Sequence, residues 1–149
     1  METMPDLMRL GVLLRQAHSR SAAALNAALE PLSLTGRHFG VLLHLSRAGE
    51  STHKELSTLY GSDKASMART IDALVEAGLV TREASTTDRR VVRLTLTDAG
   101  AAIAQDALAR ADVVAGGLFS GFTDPELAQL TDLLRRFVSP TPDEPPNGG

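Results

Sequence analysis

Three consecutive charged residues, Asp88, Arg89 and Arg90, stand at the tip of a polar loop, and their types and spacing suggest a chemistry more directly than anything else in the chain. The loop separates two short stretches of strand character, Leu79–Glu83 and Val92–Leu96. The second alternates Val92, Leu94 and Leu96 with Arg93 and Thr95, the period of a strand with one buried face. A hairpin that ends in cations is a β-wing, and a wing that follows a helix with a polar outer face is a device for gripping duplex DNA. Arg90 is expected to extend into the minor groove, with Asp88 holding its guanidinium so that less side-chain entropy is lost on binding. Arg89 and Arg93 are expected to touch phosphates, which raises affinity without reading sequence. The alternative reading of the same residues is a solvated hairpin whose charges keep an edge strand from aggregating.

The helix ahead of the wing is expected over Lys64–Ala77, capped by Ser62 or Asp63 and stopped by Gly78. Met67, Ile71 and Leu74 form its buried stripe, leaving Lys64, Ser66, Arg69, Thr70 and Ala73 elsewhere. Before it, Thr52-His53-Lys54-Glu55 has the form of a capping box that opens a short helix ending at Gly61. Two short helices joined by a turn at Leu59–Ser62 have helix-turn-helix length, in which the second helix enters the major groove. Lys64, Ser66, Arg69 and Thr70 are then the residues expected on bases or phosphates, with Arg69 the best match to a guanine. The backbone N–H groups near Thr52, His53 and Lys54 suit a phosphate, and Ser62, in the turn, joins the DNA-binding set. The alternative is an ordinary amphipathic helix with a wet face, in which case Thr52 still serves as a cap.

Other elements must hold these residues in place. Leu7, Leu10, Leu14, Ala17, Ser21, Ala24 and Ala28 recur at steps of three and four, which predicts a helix from about Asp6 to Glu30, ended by Pro31. The small residues of its later turns fit a close packing seam or a subunit interface. A second helix runs from a Thr35 cap to Ala48, with Phe39, Leu42, Leu43 and Leu45 inward and Gly49 closing it. Thr97 caps a long fifth helix carrying Ile103, Ala107, Leu108, Val114 and Leu118, bent or ended at Gly116-Gly117. Thr123 or Pro125 starts a sixth, with Leu127, Leu130, Leu134 and Phe137 on its apolar face. The expected class is mostly α (α+β), divided into an N-terminal helical part (1–34), a winged helix-turn-helix lobe (35–97), C-terminal helices (98–138) and a proline-rich disordered tail (139–149).

Composition narrows the function. At 149 residues and 43% hydrophobic, the chain is one domain's worth of sequence with enough apolar surface for a core. The net charge of −3 is unevenly spread: residues 1–97 hold 12 Lys and Arg against 10 Asp and Glu, whereas residues 98–149 hold 3 against 8. A polyanion responds to the field over the contact surface rather than to the sum, so the acidic part is expected away from the DNA face. There is no cysteine, which excludes disulfides, thiolate metal sites and thiol redox sensing. The opening residues lack a basic run followed by an apolar one, and no apolar run approaches a membrane span, so a cytoplasmic protein with no membrane partner is expected. The four histidines, His18, His38, His44 and His53, include no i, i+4 pair, so no metal site is preformed, and one would have to be assembled from separate helices. Nucleophile elbows, zinc-protease motifs and phosphate-cradling glycine loops are missing as well, which argues against an enzyme and implies no cofactor.

The stretch Asp88-Arg89-Arg90-Val91-Val92-Arg93-Leu94-Thr95-Leu96-Thr97-Asp98-Ala99-Gly100, preceded by Leu74-Val75-Glu76-Ala77-Gly78-Leu79-Val80-Thr81-Arg82, closely resembles the signature of the MarR family of bacterial transcription regulators. The resemblance spans about residues 5–138. It implies a winged-helix homodimer, paired through the first, fifth and sixth helices, whose two recognition helices address a pseudo-palindromic operator, with Asp88 and Arg90 as the family's wing pair. Many such regulators are repressors released by small phenolic or anionic effectors bound between the dimerisation helices and the DNA-binding lobe. By that resemblance His18, Arg37 and His38 are the polar groups expected to face the effector crevice, their alternative being surface or satisfied interior polarity. A further alternative keeps the winged fold for protein contacts without specific DNA binding, with the acidic C-terminal third as docking surface.

Overall fold

The computed structural model describes residues 6–139. Six α-helices and three strands follow one another as α1 (Leu7–Leu29), α2 (Gly36–Ala48), β1 (Glu50–Thr52), α3 (His53–Tyr60), α4 (Lys64–Glu76), β2 (Val80–Ala84), β3 (Val92–Leu96), α5 (Asp98–Leu118) and α6 (Asp124–Val138). Local sequence sets most of these boundaries. Asp6 caps α1 by accepting the N–H groups of Met8 and Arg9. Pro31 does not end the chain's helical course at once. It sits at the start of a 3₁₀ turn, Glu30–Leu32, where its missing N–H costs nothing, and Ser33 closes the turn in the left-handed region at φ 56°. Thr52 and Thr123 each form a capping box with the glutamate three residues on.

The chain divides into two compact units whose boundary falls within α5, between Val114 and Ala115. In the first, Leu29, Phe39, Val41, Leu42, Leu45, Leu56, Met67, Ile71, Leu74, Val80, Leu94, Ala104 and Ala107 form one continuous apolar core. Burial of this aliphatic set, drawn from α1 through α5, packs the short helices against the sheet. The expected inward face of α2 gains Val41, and Leu43 is only half-buried.

The sheet has three antiparallel strands in the order β1-β3-β2. The hairpin β2–β3 is where it was expected, pairing Val80 with Leu96 and Ala84 with Val92. The strand β1, only three residues long, was not expected. It pairs Ser51 with Leu94, placing the start of α3 directly beside the wing strand. In the second unit, α6 begins at its Thr123 cap with Pro125 in the first turn, and Phe119 and Phe122 face each other in the preceding turn with ring centroids 6.3 Å apart. The tail expected to be disordered lies, apart from Ser139, outside the described residues. No helix among the described residues is long and apolar enough to cross a membrane.

Candidate nucleic-acid interface

Three elements of the first unit bring the expected DNA-binding residues forward: the start of α3, the outer face of α4 and the β2–β3 loop. The turn between α3 and α4 needs a left-handed residue, and Gly61 supplies it at φ 58°. Tyr60, just before, donates its hydroxyl to the Gly40 carbonyl at 2.6 Å. A Cβ on residue 40 would stand 3.0 Å from the tyrosine ring, so glycine there lets the end of α3 close on α2.

Asp63 caps α4. Its Oδ1 accepts the Ser66 N–H at 2.8 Å and its Oδ2 accepts the Ser66 hydroxyl at 2.9 Å. The Ser66 oxygen in turn accepts Arg69 Nη2–H at 3.1 Å. These hydrogen bonds to Ser66, backbone first, hold the Asp63 carboxyl below the ordinary carboxylate range. Lys64 and Arg69 are both exposed. Thr70 is not: it is 6% exposed, and its hydroxyl donates to the Ser66 carbonyl at 3.1 Å, so it belongs to the buried stripe with Met67 and Leu74. Farther along the exposed face, Asp72 is bonded to Arg82 of β2, an ion pair that ties the recognition helix to the wing.

At the start of α3, Thr52 Oγ1 accepts the Glu55 N–H at 3.1 Å while Glu55 Oε2 accepts the Thr52 N–H at 3.2 Å and the Ser51 hydroxyl at 2.9 Å. Those two bonds, that from Ser51 first, lower the Glu55 pKa from its ordinary value. A carboxylate kept ionised here competes with a phosphate for the first-turn N–H groups, which leaves the exposed Lys54 side chain as the better phosphate ligand at this end. Ser62 is half-buried in the turn, its N–H donating to the Ser57 carbonyl.

In the wing loop, Ser85 is buried, and its hydroxyl oxygen accepts the N–H groups of Thr87 and Asp88 at 3.3 and 3.4 Å. Asp88 Oδ1 accepts the backbone N–H of Arg90 at 3.0 Å. The expected grip of Asp88 on the Arg90 guanidinium is therefore corrected: the acid shapes the loop backbone, and Arg89 and Arg90 project as exposed side chains without an ionic partner among the described residues. Arg93, expected on phosphate, pairs instead with Glu50 of β1 at 3.0 Å. It sits opposite Thr52 of β1 and Glu83 of β2 in the sheet.

The root of the wing is fixed by α5. Thr97 Oγ1 donates to the Gly78 carbonyl at 2.6 Å and accepts the Gly100 N–H at 2.9 Å, while the Thr97 N–H donates to the Leu79 carbonyl at 3.1 Å. A Cβ on residue 100 would lie 2.0 Å from that same carbonyl oxygen. Gly100 is thus where the helix touches the backbone of Leu79, just ahead of β2, and the threonine three residues earlier is its clasp.

Away from this face, His18 and Arg37 share a groove of about 490 Å³ with Ser21, Ala22, Leu25, Asn26 and Gly36. Asn26 Oδ1 accepts the Gly36 N–H at 2.6 Å, joining α1 to the start of α2. His38, expected in the same crevice, is elsewhere. Its Nδ1 accepts the Thr35 N–H at 3.1 Å as the far half of a capping box, and the ring lines a separate cleft of about 100 Å³ against Ala73 and Leu74 of α4 and the Ala77 that follows it. Burial, and secondarily the Arg37 charge, lower the His38 pKa. His53 stands at the start of α3 with Nε2 buried and unpartnered. No group of three or more His, Asp or Glu side chains among the described residues is placed to hold a metal ion.

This geometry has known counterparts. A family model described as MarR family matches residues 32–91, which run from the 3₁₀ turn to the wing loop. The crystal structure of wild-type apo MarR from E. coli is 30% identical, with 93% of this chain and 100% of that chain covered and a TM-score of 0.74. The chain belongs to the MarR family. A mutant of E. coli MarR complexed with operator DNA gives a TM-score of 0.83 at 28% identity, over 93% of this chain and 100% of that one. Bordetella bronchiseptica BpsR, from a structure on the regulation of its DNA binding by 6-hydroxynicotinic acid, gives 0.80 at 27% identity over 88% and 99%. As a MarR family member the chain is a DNA-binding transcriptional regulator, not an enzyme, and the winged helix is its DNA-binding architecture.

Sequence reasoning missed three features of this face: the Asp72–Arg82 pair, the Glu50–Arg93 pair and the Gly100 contact. The first two join residues from different elements with no spacing to announce them. The third had a signal, since Thr97-Asp98-Ala99-Gly100 places a glycine in the first turn of a helix, where only a close approach rewards it.

Proposed function

We propose that the chain is a homodimeric repressor acting on chromosomal DNA in the cytoplasm. Each copy lays α4 in a major groove and sets its wing against the neighbouring minor groove of a pseudo-palindromic operator. The observation that carries this reading is the pairing, in one unit, of a capped helix presenting Lys64 and Arg69 with a backbone-tied loop presenting Arg89 and Arg90, all four exposed. Lys54 and the turn at Ser62 serve the adjacent phosphates. Thr70 and Arg93 are left out because burial and Glu50 already occupy them. The solved complex of E. coli MarR with operator DNA supports the assignment.

Dimerisation rests on apolar side chains that the single chain leaves in water. In α1, Leu7 is 71% and Leu10 49% exposed, and in α6, Phe137 is 68% and Leu133 48% exposed. A second copy covers these faces, in keeping with the excess of uncovered apolar surface that marks an interface. The effector is a small anionic or phenolic molecule, taken into the groove of His18 and Arg37, where one guanidinium and one imidazole stand beside apolar Ala22 and Leu25. The ligand control named for BpsR supports such a response. Its action is a shift in the separation of the two DNA-binding lobes, which misplaces both recognition helices at once. Gel-shift titration of the chain on its own upstream DNA, with random duplex as competitor, tests the proposal. Salt-sensitive binding that prefers the upstream duplex is expected, and equal affinity for both duplexes would sink it.

A further inference from the structure

Resting on the reading of α4 as the recognition helix, we infer that Ser66 is a specificity-determining positioning residue, aiming the Arg69 guanidinium at one guanine in each half-site. The direction of each bond in the network is fixed by chemistry. A carboxylate only accepts, so Asp63 takes both the Ser66 N–H at 2.8 Å and the single Ser66 hydroxyl proton at 2.9 Å. The serine oxygen then has only lone pairs to offer, and Arg69 Nη2 fills one from 3.1 Å. Donation therefore runs one way, from Arg69 to Ser66 to Asp63.

Two carboxylates, Asp63 and Asp72, flank Arg69 in sequence, and neither forms an ion pair with it. Asp63 is screened by the serine hydroxyl, and Asp72, three residues farther on, is engaged by Arg82 from β2. Arg69 forms no ion pair among the described residues. One N–H is used to orient the guanidinium, and the others, without a partner among the described residues, stand in a planar fork. That fork matches the two acceptors, N7 and O6, that guanine presents in the major groove, whereas adenine and cytosine each present a donor there. Lys64, the other cation of α4, is a point charge with no fork and discriminates nothing by itself. An arginine without the serine would reach several base pairs or a phosphate.

The test begins with selection of a preferred duplex from a random library, followed by fluorescence-anisotropy titration of every single-base variant of that duplex. Wild type is expected to discriminate at one G·C pair per half-site by about tenfold or more. Arg69→Ala should erase that preference. Ser66→Ala should reduce it several-fold at the same pair, and by more than it changes affinity for random duplex, because the Asp63 cap keeps the backbone N–H of residue 66. Ser66→Thr, which keeps the hydroxyl, should restore it. If Ser66→Ala lowers stability, the ratio of affinities between duplexes, taken below the unfolding transition, still decides. An Arg69-dependent base pair that ignores Ser66→Ala overturns the inference and leaves the recognition helix intact. A uniform loss on all duplexes with Ser66→Ala also overturns it, as a structural effect. Base preferences that survive Arg69→Ala unchanged refute the reading of α4 itself.

Discussion

Replacing Gly100 by alanine tests the clasp that holds the wing. The added Cβ would meet the Leu79 carbonyl oxygen at 2.0 Å and its carbon at 2.9 Å. Ordinary contact requires roughly 3.3 Å, so the start of α5 and the start of β2 must separate by more than an ångström. That oxygen also accepts the Thr97 N–H at 3.1 Å, a bond that such a movement breaks. Overpacking against backbone costs about 1–3 kcal/mol, and a partly buried carbonyl left unpaired about 1–3 more. Alanine's better helix propensity offsets roughly 1 kcal/mol. The expected net loss is about 1–5 kcal/mol, at its upper end a large share of a typical domain's stability. Differential scanning calorimetry should show it as a fall in Tm of about 3–15 °C. Gly116, in the same helix, has nothing among the described residues within 4 Å of its would-be Cβ, so Gly116→Ala should instead hold or raise Tm. DNA affinity should fall with Gly100→Ala beyond what unfolding explains, because the wing root moves. A Gly100→Ala protein that melts with wild type would refute the argument that this contact fixes the wing.

Arg90→Ala should weaken binding to the preferred duplex by about 1–3 kcal/mol and shallow the salt slope by about one ion, read by anisotropy at several salt concentrations. An unchanged slope would remove the wing tip from the contact. Tyr60→Phe deletes the donor to the Gly40 carbonyl and should cost about 1 kcal/mol in urea unfolding; no change would mean that water replaces the bond. His38 accepts the Thr35 N–H only when neutral, and its pKa is lowered from 6.5, so its contribution is whole above that value and lost as pH falls through the folded value. Unfolding titrations of wild type should decline over that window, and those of His38→Gln, which keeps an acceptor without titrating, should be flatter. Leu134→Asp, on the exposed face of α6, should convert dimer to monomer in sedimentation analysis with helix content retained; a dimer that persists would move the interface elsewhere.

What could be read in advance was what short spacing encodes. The capping box at Thr52 depends on residues three apart and the structure forms it, and Thr123, expected as a cap, forms a second with Glu126. The alternation from Val92 to Leu96 announced a strand because its inward face is buried at Leu94. Thr70 was legible too and was misjudged: it stands three after Met67 and four before Leu74, on the stripe itself, where its hydroxyl can be satisfied by its own helix. The strand β1 was not legible, since three residues carry no period, and its pairing with β3 depends on a partner forty residues away. The same holds for charges. Nothing in the order of residues says that Arg93 meets Glu50, that Arg82 meets Asp72, or that Asp88 turns to a backbone N–H, because each choice is made by which strand or turn stands beside it. His38 looked like a crevice residue because α2 borders α1. Its capping role follows from the third position of a helix opened by Thr35, where a ring nitrogen can do what a glutamate usually does.

Hydroxyl-radical footprinting on the upstream DNA tests most directly whether two copies address one duplex face. The expected record is a pair of protected segments about one helical turn apart and symmetric about a dyad, with weaker protection flanking each where the wings reach. A single protected segment, or protection without symmetry, would contradict it.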